Sequence, residues 1–435
     1  MAAASLMTFI ATGDGFITRR LPSTNNKEFK DLKKIILQGE FRFLNLEVTT
    51  HNFEGFPSAV SGGTWAIAEP SVLEDVKSYG FNTLAWANNH TLDYSYGGLE
   101  ATERYINKYG FVHAGVGKNL ADASAPRYLD CPSGRVALIA TTSTFHETWA
   151  AGEQRSDAEG RPGVNPLRFN SKYVVSTEQL EQLKKIAAHT GINADYNLAV
   201  KEGFSALPDK NLFKFGGYEF QAGSYQGLKT TPQKKDMDRI IKAISEAKRQ
   251  ADYVIVSIHT HEMEGEDKSK PAEFVKEFSR KCIDHGAHAI IGHGPHILRG
   301  VEIYNQRPIF YSLGNFIFQN ETVSTLPHDF YEKYEMGFGH NVADAFDKRS
   351  DNGEKGLGVN PDVWESVIPF WSMRNGKLEE IRLYPIELGF GLPRYKKGWP
   401  KLANNPSALE KLKKLSKPFG TKVEIIDNVG FIKAF

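Results

Sequence analysis

Gly292-His293-Gly294-Pro295-His296 puts two imidazoles close together on a backbone that suits neither helix nor strand interior. The preceding run, Ala287-His288-Ala289-Ile290-Ile291, is apolar and of strand type. A histidine just past a buried strand is aimed at the carboxyl edge of a sheet, where open α/β folds bind ligands. Neutral imidazole is a common metal ligand. Taken alone, the motif also reads as a tight turn with two incidental histidines. Four further strand-like segments end in the same fashion. Thr8–Thr12 runs into Gly13-Asp14-Gly15, and Phe41–Glu47 ends in Asn45-Leu46-Glu47. Phe81–Ala87 runs into Asn88-Asn89-His90 with Asp93 behind it, and Asp252–Ile258 into His259-Thr260-His261-Glu262.

Parallel strands of one sheet present their carboxyl ends on one edge, so residues far apart in sequence can meet there. Carboxylate, amide oxygen and imidazole together suit borderline divalent metals such as Mn²⁺, Zn²⁺ or Fe²⁺. Two such ions ~3.5–4 Å apart would share a carboxylate and clamp an attacking hydroxide. Cysteine is absent from these points, which argues against a structural zinc site. Glu47 taken by itself is a solvated carboxylate, Asp14 a turn former, and Asp93 a cap for the helix after it.

The elements that must position these residues alternate strand and helix. Helical spacing covers 27–38, 69–79, 98–109, 235–250 and 271–285, with strands between, which predicts an α/β layered fold. The pattern breaks at residues 150–235, a turn-rich stretch whose 203–229 segment is dense in glycine and aromatics and reads as irregular. A segment of this length reads as an insertion or a lid. It carries Arg161 and Arg168, which could grip an anionic substrate bidentately. A second insertion spans 319–370. Residues 371–435 complete the 1–318 core with a hairpin around Asn375-Gly376 and a basic tail helix over 408–417.

The chain has 435 residues and a formal net charge of +1, which argues against nucleic acid as a main partner. Cys131 and Cys282 fit no disulfide framework or zinc spacing, so a reducing, cytoplasmic setting is expected. No apolar run approaches the ~20 residues of a membrane span. Met1–Met7 lacks the pattern of a signal peptide.

Gly13-Asp14, Asn45-Leu46-Glu47, Ala87-Asn88-Asn89-His90 with Asp93, Gly292–His296, and Tyr311-Ser-Leu-Gly-Asn-Phe316 together resemble the CapA family of capsule poly-γ-glutamate proteins. The resemblance covers roughly residues 8–145 and 236–318. It implies a metallophosphoesterase-like fold, a layered β-sandwich flanked by helices. It also implies metal ligation by Asp14, Glu47, Asn89, His259, His293 and His296, with Glu47 bridging one or two divalent ions. His90, paired with Asp93, would be the proton donor or electrophile. The chain departs from the phosphoesterase pattern at Phe16, where a histidine is usual, and at His261, an extra imidazole that could be base or ligand.

The function expected from this set is a metal-dependent hydrolase acting on a phosphoester or on a γ-glutamyl or peptide amide. One alternative is a metal-dependent epimerase of peptides or amino acids, with Asp14, His90 and His261 as acid/base groups. The other is a non-catalytic protein that holds a polyglutamate chain. The expected partner is a small molecule, peptide or polyglutamate.

Overall fold

A computed structural model describes residues 5–207 and 209–433. Residues 1–4, the first part of the segment read above for a signal peptide, lie outside it. Among the described residues no helix is long and apolar enough to cross a membrane.

Two sheets dominate. The larger has ten strands, and its central path runs from Glu365–Arg374 through Met7–Phe16 and Phe41–Leu46 to Thr83–Ala85 and Val112–Ala114. From Met7–Phe16 to Val112–Ala114 the pairing is parallel. The second sheet has six strands, with Gly134–Thr142, Tyr253–His259, Ala289–His293 and Arg307–Leu313 in parallel at its centre. Tyr253–His259 and Ala289–His293 are buried at every position, as expected of parallel strands covered on both faces.

The two sheets face each other. Phe9, Phe43 and Trp371 of the larger sheet share one apolar cluster with Leu138, Ile255, Ile291 and Phe310 of the smaller. Trp371 stacks on Phe9 at 5.0 Å between ring centroids and meets Phe310 across the interface at 5.4 Å. The outer face of each sheet is covered by helices. Lys27–Ile36 buries Phe29, Leu32 and Ile36, and its N-terminus is capped by Asn26, which accepts from the Phe29 amide at 2.9 Å. Glu273–Asp284 buries Phe274, Phe278 and Cys282 against the second sheet. The mixed α/β architecture expected from the strand–helix alternation is what the chain adopts.

The structure departs from the sequence expectations at several points. The helix expected from residue 69 starts at Val72, because Pro70 disfavours helical backbone at Glu69. Within the stretch 203–229, the part from residue 213 onward is regular. Phe213–Phe215, Tyr218–Ala222 and Gly227–Pro232 join Phe169–Val175 in a four-stranded sheet. Phe213 and Phe215 in one strand, and Tyr218 and Phe220 in the next, alternate with period 2, a pattern hidden by the surrounding glycines. The first strand of the hairpin around Asn375-Gly376 starts at Glu365, inside the 319–370 stretch assigned to the second insertion.

Trp371 is fully buried and its indole N–H has no hydrogen-bond partner among the described residues. Trp371→Ala should therefore lower the unfolding free energy by about 3–5 kcal/mol in a urea titration. Trp371→Phe, which keeps the stack and removes the unpartnered donor, should cost clearly less.

Candidate metal centre

Asp14 lies inside its strand rather than past its end. Met7–Phe16 continues through Gly13-Asp14-Gly15 because a second parallel strand, Asn315–Phe318, pairs with it there. The Asp14 amide donates to the Gly314 carbonyl at 2.9 Å. A Cβ on Gly13 would lie 1.8 Å from that same carbonyl oxygen, so only glycine lets the strands approach this closely. Register then sets Asp14 beside Asn45 on one side and Asn315 on the other. In the second sheet, register sets His259 directly beside His293.

The expectation that one sheet edge carries the whole set is corrected by the structure. Asp14, Glu47 and the Asn88–Asp93 loop come from the larger sheet, and His259, His261, His293 and His296 from the smaller. The carboxyl ends of both parallel segments meet at one end of the sandwich. Asp14, His259 and His293 present nitrogen and oxygen atoms within 4.8 Å of one another, and Glu47, His261 and His296 do the same. Either trio could hold a metal ion.

The two carboxylates lie between the trios. Asp14 Oδ1 is 3.4 Å from His293 Nδ1 and 3.7 Å from His259 Nδ1, while its Oδ2 is 3.6 Å from His296 Nδ1. Glu47 Oε1 is 3.7 Å from His259 Nε2, and Oε2 is 3.8 Å from His296 Nδ1. Both Glu47 oxygens are buried with no hydrogen-bond partner among the described residues, as is Asn89 Oδ1. Buried acceptors are almost always satisfied, so these orphans are what a cation's donor set looks like without the cation. The solvated carboxylate that Glu47 suggests by sequence is excluded, since its side chain is fully buried.

Neighbouring groups hold the donors in place. Asp14 accepts from Asn45 Nδ2 at 2.8 Å and from the Gly294 amide at 3.0 Å. Ser257 Oγ lies 2.8 Å from His293 Nε2, which leaves Nδ1 to face Asp14. Asn315 Oδ1 is 2.9 Å from His296 Nδ1. His296 itself has φ +63, a left-handed conformation that a non-glycine residue adopts only when its surroundings impose it. Sequence reasoning assigned no role to Ser257 or Asn315. Asn315 had a visible signal, an amide directly after Gly314 in a strand-ending motif, whereas Ser257 is an ordinary strand residue.

His90 Nδ1 pairs with Asp93 Oδ2 at 2.6 Å. Asp93 also accepts from the Ala66 and Gly62 amides at 2.7 and 3.1 Å. It does not cap the following helix, whose N-cap is Tyr94. Phe16 stands edge-on to the His90 ring at 5.0 Å, so the position where a histidine is usual supplies packing instead of a ligand. The two arginines are engaged elsewhere. Arg168 grips buried Asp236 through Nε and Nη2 at 2.8 and 2.7 Å, and Arg161 donates to the Ala150 carbonyl. The guanidinium fork expected to bind an anion is thus closed on Asp236 in Arg168.

Electrostatics follow from burial. Burial, then the charges of Asp14 and Asp93, push the Glu47 carboxyl well above its ordinary range. Burial, then the surrounding histidines, hold His259 well below its ordinary range; burial and then His296 do the same to His261. Burial also opposes ionisation of Asp14, but hydrogen bonding and charge from His293, with His296 and Asn45, outweigh it and its pKa falls. A carboxyl whose pKa rises on folding contributes most below its ordinary value of 4.5 and loses that contribution as pH rises through the folded-state value. An amide cannot ionise. Glu47→Gln should therefore raise the melting temperature of chelator-treated protein at pH 8. The ranking should reverse when Mn²⁺ is added, as read by thermal unfolding with and without the ion.

The bacterial capsule synthesis protein family PGA_cap matches residues 8–320. Protein y4sH of Sinorhizobium fredii is 35% identical over 98% of this chain and 93% of its own length. The PGA biosynthesis protein CapA of Bacillus subtilis is 33% identical over 29% of this chain and 34% of its own. The capsule biosynthesis protein CapA of Bacillus anthracis is 27% identical over 58% of this chain and 43% of its own. The matched span takes in Asp14, Glu47, the Asn89-His90 loop and all four histidines of the two trios, and on that match the chain belongs to the PGA_cap, or CapA, family of bacterial capsule synthesis proteins.

Proposed function

We propose that this protein is a metal-dependent hydrolase that cleaves a phosphoester or a γ-glutamyl or peptide amide. The observation that carries the proposal is the pair of buried, unpartnered Glu47 oxygens set between two trios of metal-ligating groups. Asp14, His259 and His293 would hold one divalent cation, and Glu47, His261 and His296 a second. Asn89, whose buried Oδ1 is unpartnered, adds a neutral donor. When bound, such ions supply Lewis acidity and a nucleophilic water near neutral pH.

The remaining steps fall to the chain's own residues. Asp93 fixes the His90 ring through Nδ1, which leaves Nε2 as the atom that gives a proton to the leaving group. Asp93, held in turn by two backbone amides, cannot swing away from that ring. Ser257 engages His293 Nε2 and so leaves Nδ1 for Asp14, whereas Asn315 engages His296 Nδ1 and leaves Nε2 as its free nitrogen. His261 stands with Glu47 and His296, a ligand position, which supports hydrolysis over abstraction of an α-proton by a free base. The relatives' roles in PGA and capsule biosynthesis favour a γ-glutamyl amide.

Purified protein should carry two divalent ions per chain by elemental analysis. His293→Ala should lose at least one of them. With Mn²⁺ present the wild type should turn over a member of a panel of phosphoesters and γ-glutamyl peptides; metal-loaded protein inert on all of them sinks the proposal. His90→Ala should keep its metal while kcat falls about 10²–10⁴-fold.

A further inference from the structure

His261 is an imidazole that no strand holds. Asp14, His259 and His293 lie inside strands. His261 falls instead in the three-residue link between Tyr253–His259 and the short strand Met263–Glu264. Register sets Thr142 beside His259, and the Ser143 amide donates to the His259 carbonyl at 3.0 Å, so Ser143-Thr144 runs on beside Thr260-His261. Thr144 Oγ1 accepts from the His261 amide at 2.8 Å and donates to the Glu262 carboxylate at 3.1 Å. Ser143 Oγ and Thr260 Oγ1 both donate to Glu262 Oε2 at 2.7 Å, so three hydroxyls converge on this carboxylate. Arg299 holds the carbonyl side of the link. Its Nη2 donates to the His261 and Glu262 carbonyls at 3.3 and 2.9 Å, and its Nε to the Lys268 carbonyl at 2.9 Å.

Both backbone groups of His261 are therefore bonded to side chains: its N–H to Thr144 and its carbonyl to Arg299. A link residue outside any ladder takes its position from such bonds. Arg299 is fully buried, and its Nη1 has no partner among the described residues. A guanidinium buried with a donor unpaired is costly, and what it fixes in return is the link and hairpin around His261. The His261 ring stands where the two trios meet. Its Nε2 lies 3.1 Å from His259 Nε2, and its centroid 5.6 Å from that of the His296 ring. The groups that orient a metal-ligating side chain contribute to affinity alongside the donor atom itself.

We propose that Thr144, Glu262 and Arg299 are positioning residues that clamp the His261 backbone and thereby build the second cation site, that of Glu47, His261 and His296. The clamp rests on the reading that this trio holds an ion, and not on hydrolysis. Zn²⁺ is the probe, since imidazole suits it. Chelator-stripped wild type, Thr144→Val, Thr144→Ser and Glu262→Ala are titrated with Zn²⁺ by calorimetry, and ions per chain are counted by elemental analysis. Wild type and Thr144→Ser, which keeps the hydroxyl, should take two ions with similar affinities. Thr144→Val and Glu262→Ala should bind the first ion as wild type does and the second about 10–100-fold more weakly. A general loss of structure would instead weaken both sites together. Unchanged second-site affinity in either variant, equal loss at both sites, or a wild type that takes fewer than two ions overturns the proposal. A clamp-dependent second site without turnover of any substrate sinks only the hydrolase assignment, and turnover with clamp-independent zinc binding sinks only the clamp.

Discussion

The structure depends on two parallel strand arrays packed face to face with their carboxyl ends at the same end of the molecule. The contact that sets their spacing is apolar and rigid: Phe9 stacked on Trp371, and Trp371 against Phe310 of the opposite sheet. Interiors packed to crystal-like density transmit position faithfully. The sheets therefore deliver Asp14 from one side and His259 with His293 from the other to within 3.4–3.7 Å. Neither sheet carries a complete donor set. Each trio takes its carboxylate from the larger sheet and its imidazoles from the smaller.

That arrangement is unfavourable in isolation. Two carboxylates and four imidazoles are brought together almost entirely out of water, and Glu47 gains no hydrogen bond in return. Burial alone penalises every charged form present. The donors stay in position because the surroundings over-determine them. Asn45 and the Gly294 amide hold Asp14, Ser257 holds His293, and Asn315 holds His296 in its left-handed backbone conformation. Local instability of this kind is concentrated where a fold binds something, and the energy is recovered from the core beneath it.

Much of the fold was legible because strand and helix periodicity are local properties. Tyr253–His259 and Ala289–His293 read as buried strands from their unbroken apolar runs. The polar residues that end such runs were visible for the same reason. What escaped notice was pattern masked by composition, as in Phe213–Phe215 and Tyr218–Ala222, where glycines obscured the alternation. Partners distant in sequence escaped as well. Nothing near Arg168 in the chain announces Asp236, which closes its guanidinium fork, and nothing near Asp14 announces Asn315–Phe318, which extends its strand.

By itself the sequence determined which residue types end which strands, and in what order, because side-chain direction at a strand end follows from the backbone repeat. It also carried the family, since several motifs in fixed order survive without any coordinates. Only the tertiary structure decided how those residues group. That Glu47 falls with His261 and His296, and that Asp14 falls with His259 and His293, depends on contacts between two sheets. Such contacts are set by packing across the sandwich, and no local periodicity encodes the distance between residues that only packing brings together.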